Sequence, residues 1–185
     1  TDFLNSESAE TVHILSDTIS INTKSDAIYE FLHGMRLKSY SFDKYKSKKD
    51  SKILLVNIIS SRKFNKNIYD NFKAVELGVN YTKDLVSEPG NILHPDEYAK
   101  RLIKLKKIGL KVSVYNEKQL KKMGCNALVG VGQGSIRGSY LVTIQWNGSR
   151  SKNKKPLAFV GKGVCFDTGG YSLKPARFME DMTYD

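Results

Sequence analysis

The sequence predicts an α/β protein, because apolar runs that suit buried strands alternate with segments of helical periodicity. Ile53 to Ile59 is a continuous run rich in Ile and Val, as expected of a strand buried on both faces. Residues 67–87 instead place apolar side chains at helical spacing, which indicates a long amphipathic helix. After residue 110, strand, helix, strand and strand patterns follow one another, which indicates a largely parallel sheet.

The first half of the chain contains a short helix and a loop before that strand and the long helix. Ser25 is the predicted cap of a helix over residues 25–37, where apolar residues recur at helical spacing. Residues 39–50 are polar and aperiodic, which indicates a loop. The long helix should stop at the Glu-Pro-Gly-Asn sequence of residues 88–91, because proline cannot continue the hydrogen-bond ladder. We expect this helix to connect two domains.

The second half opens with a helix that starts at Pro95, ends near Gly109 and has His94 as its predicted cap. A shorter helix over residues 117–123 is closed by Gly124. Strands are predicted over three further segments, residues 111–115, 139–146 and 157–160. The last of these strands is expected to be buried and to lead into a glycine-rich loop.

Composition and charge limit the classes of function that this chain could have. The chain of 185 residues has a net charge of +11, and its basic residues cluster in segments 36–66, 100–122 and 150–155. A DNA-binding surface would need this charge on one face, whereas a lysine-rich solvated surface explains it more simply. A disulfide between the two cysteines, Cys125 and Cys165, is one alternative, but two buried thiols in a reducing compartment are the favoured interpretation. With no apolar run of about 18 residues and no signal peptide, the sequence predicts a cytoplasmic protein without a membrane span.

Residues 159–174 carry the chemistry. This segment begins on the last predicted strand and then becomes rich in glycine, at the place where active sites of open α/β sheets lie. Glycines let the backbone approach a ligand or ion closely. Lys162, Asp167, Lys174 and Asp185 are the charges that such a loop could direct to one point.

Three chemical interpretations of this loop compete. A phosphate cradle is disfavoured, because Gly161-Lys162-Gly163 lacks the spacing and the Ser/Thr of a P-loop. The Asp-Thr-Gly sequence at Asp167 is that of aspartic proteases, but they need a second copy and a β-rich fold. A site for hard divalent ions, which activate water for amide hydrolysis, is the third interpretation. Taken singly, these charges are better explained by ordinary structural roles: Asp167 as a turn cap, Lys162 and Lys174 as solvated lysines, and Asp185 as a surface acid.

The order of the motifs resembles the leucyl (cytosol) aminopeptidase family. Its metal-binding signature is similar to residues 160–163, 166–170 and 172–175, followed by Met182 and Asp185. Its interdomain helix and entry into the catalytic domain resemble residues 78–80, 84–86 and 88–91, with Pro95 after them. Residues 40–46 resemble an element late in its N-terminal domain. The resemblance covers roughly residues 26–185.

This resemblance implies a two-metal site. Asp167 would bridge two divalent ions, Lys162 would ligate one of them as a neutral amine, and Asp185 would ligate the same ion. Mn²⁺ or Zn²⁺ are the implied ions, with Mg²⁺ or Co²⁺ as further possibilities. Lys174 would remain cationic, lie farther from the ions and polarise the scissile carbonyl. A nearby dication disfavours an ammonium, which fits the neutral state of Lys162.

The resemblance also implies an organisation and partners. Residues 1–65 would be the end of an N-terminal α/β domain, 66–90 the connecting helix, and 91–185 the first part of a catalytic α/β domain with a mostly parallel sheet. Peptides with a free N-terminus would be the substrates, and the family assembles as homohexamers. The Asp-x-Glu-x-Arg segment that supplies further ligands in the family does not occur in this sequence. We therefore expect the chain to be an internal fragment that is inactive alone.

Overall fold

The computed structural model describes residues 10–18, 27–48, 55–149 and 154–183. The chain divides into two compact units, residues 1–85 and 86–185. The described strands are β1 (Thr11–Leu15), β2 (Leu55–Ile59), β3 (Lys111–Tyr115) and β4 (Leu141–Gln145). The described α-helices are α1 (Ala27–Lys38), α2 (Lys66–Ser87), α3 (Pro95–Ile103), α4 (Glu117–Lys122) and α5 (Asn126–Gly132).

The first unit contains a parallel strand pair and two helices. β1 and β2 run in parallel, with Thr11 opposite Leu55 and Leu15 opposite Ile59. The predicted α/β class with a parallel sheet is thereby confirmed. α1 buries Tyr29 and Leu32 and is tied to α2 by the ion pair of Arg36 with Glu76.

Several predicted boundaries in this unit agree with the structure. The long helix predicted over residues 67–87 is α2. The loop predicted after α1 is also found, because residues 39–48 contain neither helix nor strand. Ser25, the predicted cap of α1, lies outside the described residues, as do residues 53 and 54 of the predicted strand. β1 was not predicted, because its alternating exposed and half-buried residues are few and include His13.

The second unit contains α3 to α5 and the β3–β4 pair. Its apolar centre includes Leu93, Val112, Leu120 and Val129, and Leu120 is fully buried. α3 continues into a 3-10 helix, Lys104–Ile108, that ends at Gly109. Asn116 starts α4 with a capping box, in which its side chain accepts from the Gln119 N–H and Gln119 accepts from the Asn116 N–H.

Two expectations for this unit are corrected. β3 and β4 pair antiparallel, not parallel, with Lys111 opposite Gln145. Two short helices, α4 and α5, lie between these strands, and the chain re-enters the pair from the end at which it left. Residues 157–160 form no strand, and Val160 is fully exposed. A strand is held by hydrogen bonds to a neighbour, and no strand among the described residues supplies them to this segment.

Candidate functional site

The glycine-rich segment 161–174, here called the glycine loop, is folded back on itself by backbone hydrogen bonds. The Lys174 N–H donates to the Thr168 carbonyl at 2.9 Å. The Asp167 N–H donates to the Met182 carbonyl at 3.4 Å, which ties the loop to the 3-10 helix Glu180–Thr183. These bonds bring a carboxylate and a lysine that are seven residues apart into one small space.

Gly169 makes the sharp turn possible. Its φ is +88°, in the left-handed region that side chains rarely adopt. A Cβ at this position would lie 2.4 Å from the Ser172 carbonyl oxygen, so the turn has no room for a side chain. The Gly169 N–H donates to Asp167 Oδ1 at 2.9 Å, which orients that carboxylate. The turn therefore shapes the loop and also fixes one oxygen of Asp167.

Asp167 and Lys174 form an ion pair in this turn. The distance from Lys174 Nζ to Asp167 Oδ2 is 3.0 Å. The Lys174 side chain is 31% exposed and the Asp167 side chain is 37% exposed. The hydrogen bond from Lys174 lowers the pKa of Asp167, the Gly169 N–H lowers it further, and the charge of Lys162 adds to the effect. Asp167 is therefore held as a carboxylate, the form in which it could ligate a cation.

The structure brings some of the predicted site residues together. Lys174 contacts Asp167 directly, although we expected it to lie farther out from the metal ligands. Lys162 is exposed, and its charge acts on Asp167. Asp185 lies outside the described residues. Met182, which the sequence placed in the same signature without a role, is a further neighbour. Its Sδ lies 2.8 Å from Lys174 Nζ, a contact that the sequence did not predict.

The donor types in this loop suit hard divalent cations, which prefer carboxylate oxygens. The set is nevertheless partial. Among the described residues, no group of three or more His, Cys, Asp or Glu side chains is placed to hold a metal ion. Both oxygens of Asp167 are also engaged, one by the Gly169 N–H and the other by Lys174. A cation at this carboxylate would either use the remaining lone pairs of the two oxygens or replace Lys174 at Oδ2.

The residues between Lys162 and Asp167 lie against Gly90 and Tyr98, which belong to the first residues of the second unit. A Cβ on Gly90 would meet Phe166, and one on Gly163 would touch the Tyr98 ring. Burial raises the pKa of the Cys165 thiol, and the negative charge of Asp96 raises it further. Cys165 and Cys125 are both free thiols, as predicted. The glycine loop therefore rests on residues that the sequence places more than sixty positions earlier.

His94 is the N-cap of α3, as predicted. Its Nδ1 accepts a hydrogen bond from the Glu97 N–H at 3.4 Å and lies 2.6 Å from Asp96 Oδ1. The cap satisfies one of the backbone N–H groups that a helix start leaves unpaired. His94 is thus accounted for by helix capping.

Comparison with known proteins identifies the family. The family model described as "Cytosol aminopeptidase family, catalytic domain" matches residues 80–185. The chain belongs to the cytosol aminopeptidase family. The resemblance expected from the motifs is thereby confirmed over the segment that contains the glycine loop.

Relatives within this family align along nearly the whole chain. A "Probable cytosol aminopeptidase" of Phytoplasma australiense is 43% identical over 180 residues, which are 96% of this chain and 36% of the relative. A protein of the same description from Caulobacter vibrioides is 39% identical, and the match covers 97% of this chain and 37% of the relative. The chain thus spans little more than a third of the length of these relatives.

Solved structures show the same architecture. The bottromycin maturation enzyme BotP in complex with Mn aligns with a TM-score of 0.75 and 25% identity, over 96% of this chain and 37% of that one. BotP in a second structure gives a TM-score of 0.74 and 26% identity. The α/β architecture of the family therefore extends to the first unit, which lies mostly before the segment matched by the family model.

Two further observations concern the helices and the first basic segment. None of the helices in the described part of the chain is long and apolar enough to cross a membrane. In the first basic segment, Arg36 is paired with Glu76, and Lys44 lies over the Tyr45 ring with Nζ 5.3 Å from its centroid. These two cations serve contacts within the first unit. DNA binding by the basic segments remains the disfavoured alternative to a lysine-rich solvated surface, and none of these contacts tests it.

Proposed function

We propose that this chain is part of a metal-dependent aminopeptidase that releases N-terminal residues such as leucine from peptides. The observation that carries the proposal is the contact between Lys174 Nζ and Asp167 Oδ2 in the glycine loop. A carboxylate, the kind of group that ligates hard cations, and an ammonium group thus lie side by side in a chain of a peptidase family. Metal-assisted amide hydrolysis needs both kinds of group.

Lys162, Asp167 and Asp185 are the residues of this chain that would hold two divalent ions. When bound, such ions supply an activated water and polarise the scissile carbonyl. Asp167 presents its carboxylate in an orientation set by the Gly169 N–H. Lys174 leaves Asp167 Oδ2 and donates a hydrogen bond to the carbonyl oxygen of the substrate. It stabilises the negative charge that develops on this oxygen during hydrolysis.

The ion and the assembly are also part of the proposal. Mn²⁺ is supported by the solved complex of BotP with Mn, and Zn²⁺, Mg²⁺ and Co²⁺ suit similar donors. Peptides with a free N-terminus would be the substrates, and the free amino group would lie at the second ion. The resemblance to the family further supports a cytoplasmic homohexamer. It also supports the division into residues 1–65, a connecting helix over 66–90, and a catalytic part over 91–185.

We also propose that the 185-residue chain alone is inactive, because the Asp-x-Glu-x-Arg segment that supplies further ligands in the family does not occur in it. Each missing carboxylate removes negative charge that would hold the ions. Turnover of a leucine amide by the purified 185-residue chain, dependent on added Mn²⁺, would contradict this part of the proposal.

The proposal is tested in the complete protein with leucine p-nitroanilide, after chelation and after return of Mn²⁺. Lys174→Ala is expected to lower kcat about 100- to 1,000-fold, the cost of removing one donor from a developing oxyanion. Lys107→Ala is the matched control, because Lys107 is an exposed lysine outside the glycine loop. Activity that survives complete metal removal, or a Lys174→Ala variant as active as Lys107→Ala, would refute the proposal.

A further inference from the structure

We infer that a buried ion pair and a glycine at the start of the second unit position the Asp167 carboxylate for metal binding. The group consists of Glu88, Gly90, Tyr98 and Arg101, here called the platform. These residues are positioning residues, since they act on Asp167 only through the segment 163–166. The inference rests on the proposed function for its metal-binding consequence, and on geometry alone for the contacts.

The ion pair of Glu88 with Arg101 holds the platform together. The Glu88 side chain is only 2% exposed, and its Oε2 contacts Arg101 Nη1. The same guanidinium donates from Nε to Glu97 Oε1 at 3.1 Å. Arg101 therefore joins the turn after α2 to the first turn of α3. A buried carboxylate requires such a partner, because an unpaired charge in the interior is strongly unfavourable.

The turn itself is closed by backbone hydrogen bonds. The N–H groups of Ile92 and Leu93 both donate to the Pro89 carbonyl, at 2.9 and 2.8 Å. Leu93 is buried in the unit. Gly90 is consequently held between two fixed points, the Glu88 carboxylate before it and the buried Leu93 after it.

The glycine loop lies directly on this turn. A Cβ on Gly90 would be 2.9 Å from Phe166 Cβ, a separation that real side chains do not tolerate. A Cβ on Gly163 would be 3.5 Å from Tyr98 Cε1, so this ring lies against the backbone of the loop. Both ends of the segment 163–166 therefore touch the platform. Lys162 and Asp167, the two proposed ligands within the described residues, flank this segment.

This arrangement explains how a glycine-rich loop keeps a defined geometry. Phe166 is seated on Gly90, and its neighbour Asp167 is then directed towards Lys174, 3.0 Å away. Substituting a residue that orients a metal ligand without contacting the metal commonly lowers metal affinity or activity about 10- to 100-fold. We expect changes of that size from the platform residues, although none of them belongs to the proposed ligand set.

The position of the loop can be measured without metal or substrate, through the Cys165 thiol. The protein is first given the Cys125→Ala substitution, so that Cys165 is the sole thiol among these 185 residues. Any further cysteines of the complete protein are replaced likewise. Gly90→Ala is then expected to raise the rate of alkylation by iodoacetamide at least about tenfold, because displacing Phe166 opens the segment beside it. Gly134→Ala is the matched control, since a Cβ at Gly134 meets no atom within 4 Å.

A second measurement links the platform to function. In the complete protein, Gly90→Ala and Arg101→Lys should each weaken Mn²⁺ binding about 10- to 100-fold by calorimetry. Lysine keeps the charge but cannot reach Glu88 and Glu97 together. At saturating Mn²⁺, kcat should recover towards the wild-type value while KM for leucine p-nitroanilide stays nearly constant. A variant that merely unfolds would not recover, and far-UV circular dichroism identifies it.

The outcomes separate the inference from the proposed function. Equal alkylation rates for Gly90→Ala and Gly134→Ala would overturn the inference, as would unchanged Mn²⁺ affinity in a folded Gly90→Ala protein. Wild-type protein that neither binds Mn²⁺ nor hydrolyses the substrate would overturn the proposed function and the metal-binding role of the platform. Faster alkylation of the Gly90→Ala variant would in that case still support the contacts that hold the loop.

Discussion

Replacing Gly169 with alanine should distort the turn that carries Asp167, whereas the same change at the adjacent Gly170 should cause only backbone strain. Both glycines have positive φ, +88° and +69°. They differ in surroundings, because a Cβ on Gly169 meets the Ser172 carbonyl oxygen at 2.4 Å and a Cβ on Gly170 meets nothing within 4 Å. The pair therefore separates the cost of the φ angle from the cost of the collision.

The magnitudes follow from these two terms. A left-handed conformation costs a residue with a Cβ roughly 1–2 kcal/mol, partly offset by about 0.4–1 kcal/mol from the stiffer unfolded chain. Gly170→Ala should thus lose about 1 kcal/mol of unfolding free energy. At Gly169 the Cβ is about 1 Å short of ordinary contact with a backbone oxygen. Overpacking of this kind adds roughly 1–3 kcal/mol, so Gly169→Ala should lose about 2–4 kcal/mol.

Urea denaturation followed by far-UV circular dichroism gives the unfolding free energies of both variants. Amide hydrogen exchange gives the local effect, because the Lys174 N–H donates to the Thr168 carbonyl across this turn. Protection of the Lys174 amide should fall sharply in Gly169→Ala and little in Gly170→Ala. If the two variants lose equal stability and equal Lys174 protection, the collision with Ser172 does not exist and the described turn is wrong.

Three further predictions concern the second unit. Leu120→Ala should lower the unfolding free energy by about 2–5 kcal/mol in urea denaturation, because Leu120 is fully buried, whereas Leu157→Ala, at a side chain 82% exposed, should cost less than about 0.5 kcal/mol. Asn116→Ala should cost about 0.5–2 kcal/mol through loss of the capping box, and a chain that is equally stable by the same measurement would exclude that cap. The pKa of Asp167 is lowered in the folded chain by Lys174, so its contribution to stability should be present above the ordinary carboxyl pKa and lost as pH falls through the lowered value. The stability difference between wild type and Asp167→Asn should then vanish in strong acid, and a difference that persists there would contradict the ion pair.

Much of the fold follows from local patterns in the sequence. The proline after α2 and the spacing of its apolar residues predict this helix to within a residue of its observed start. His94 and Pro95 likewise predict the start of α3, because capping and the fixed φ of proline act within one turn. Both are local effects that a single sequence contains.

What the sequence could not predict depends on contacts between distant segments. The apolar run 157–160 has the composition of a strand, but a strand forms only where a neighbour supplies hydrogen bonds. The antiparallel pairing of β3 with β4 likewise depends on the path of the chain through α4 and α5.

The same distinction applies to the site. The motif predicts that Asp167 and Lys174 belong to one loop, but their direct contact depends on the turn at Gly169. The seat of Phe166 on Gly90 joins residues 76 positions apart, and nothing in the local pattern at either residue indicates it. The sequence therefore indicates which residues are candidates for the site, but it does not predict the distances between them.

The exposed apolar segment 157–160 has a consequence for handling the chain in solution. Leu157, Phe159 and Val160 are 82%, 90% and 100% exposed, and such a segment can add to the edge of a sheet in another molecule. Lys154, Lys155 and Pro156 stand immediately before it. Charges and a proline at the flank of an apolar strand act as gatekeepers against this intermolecular pairing. Neutralising the two lysines should therefore make the chain precipitate at a lower concentration.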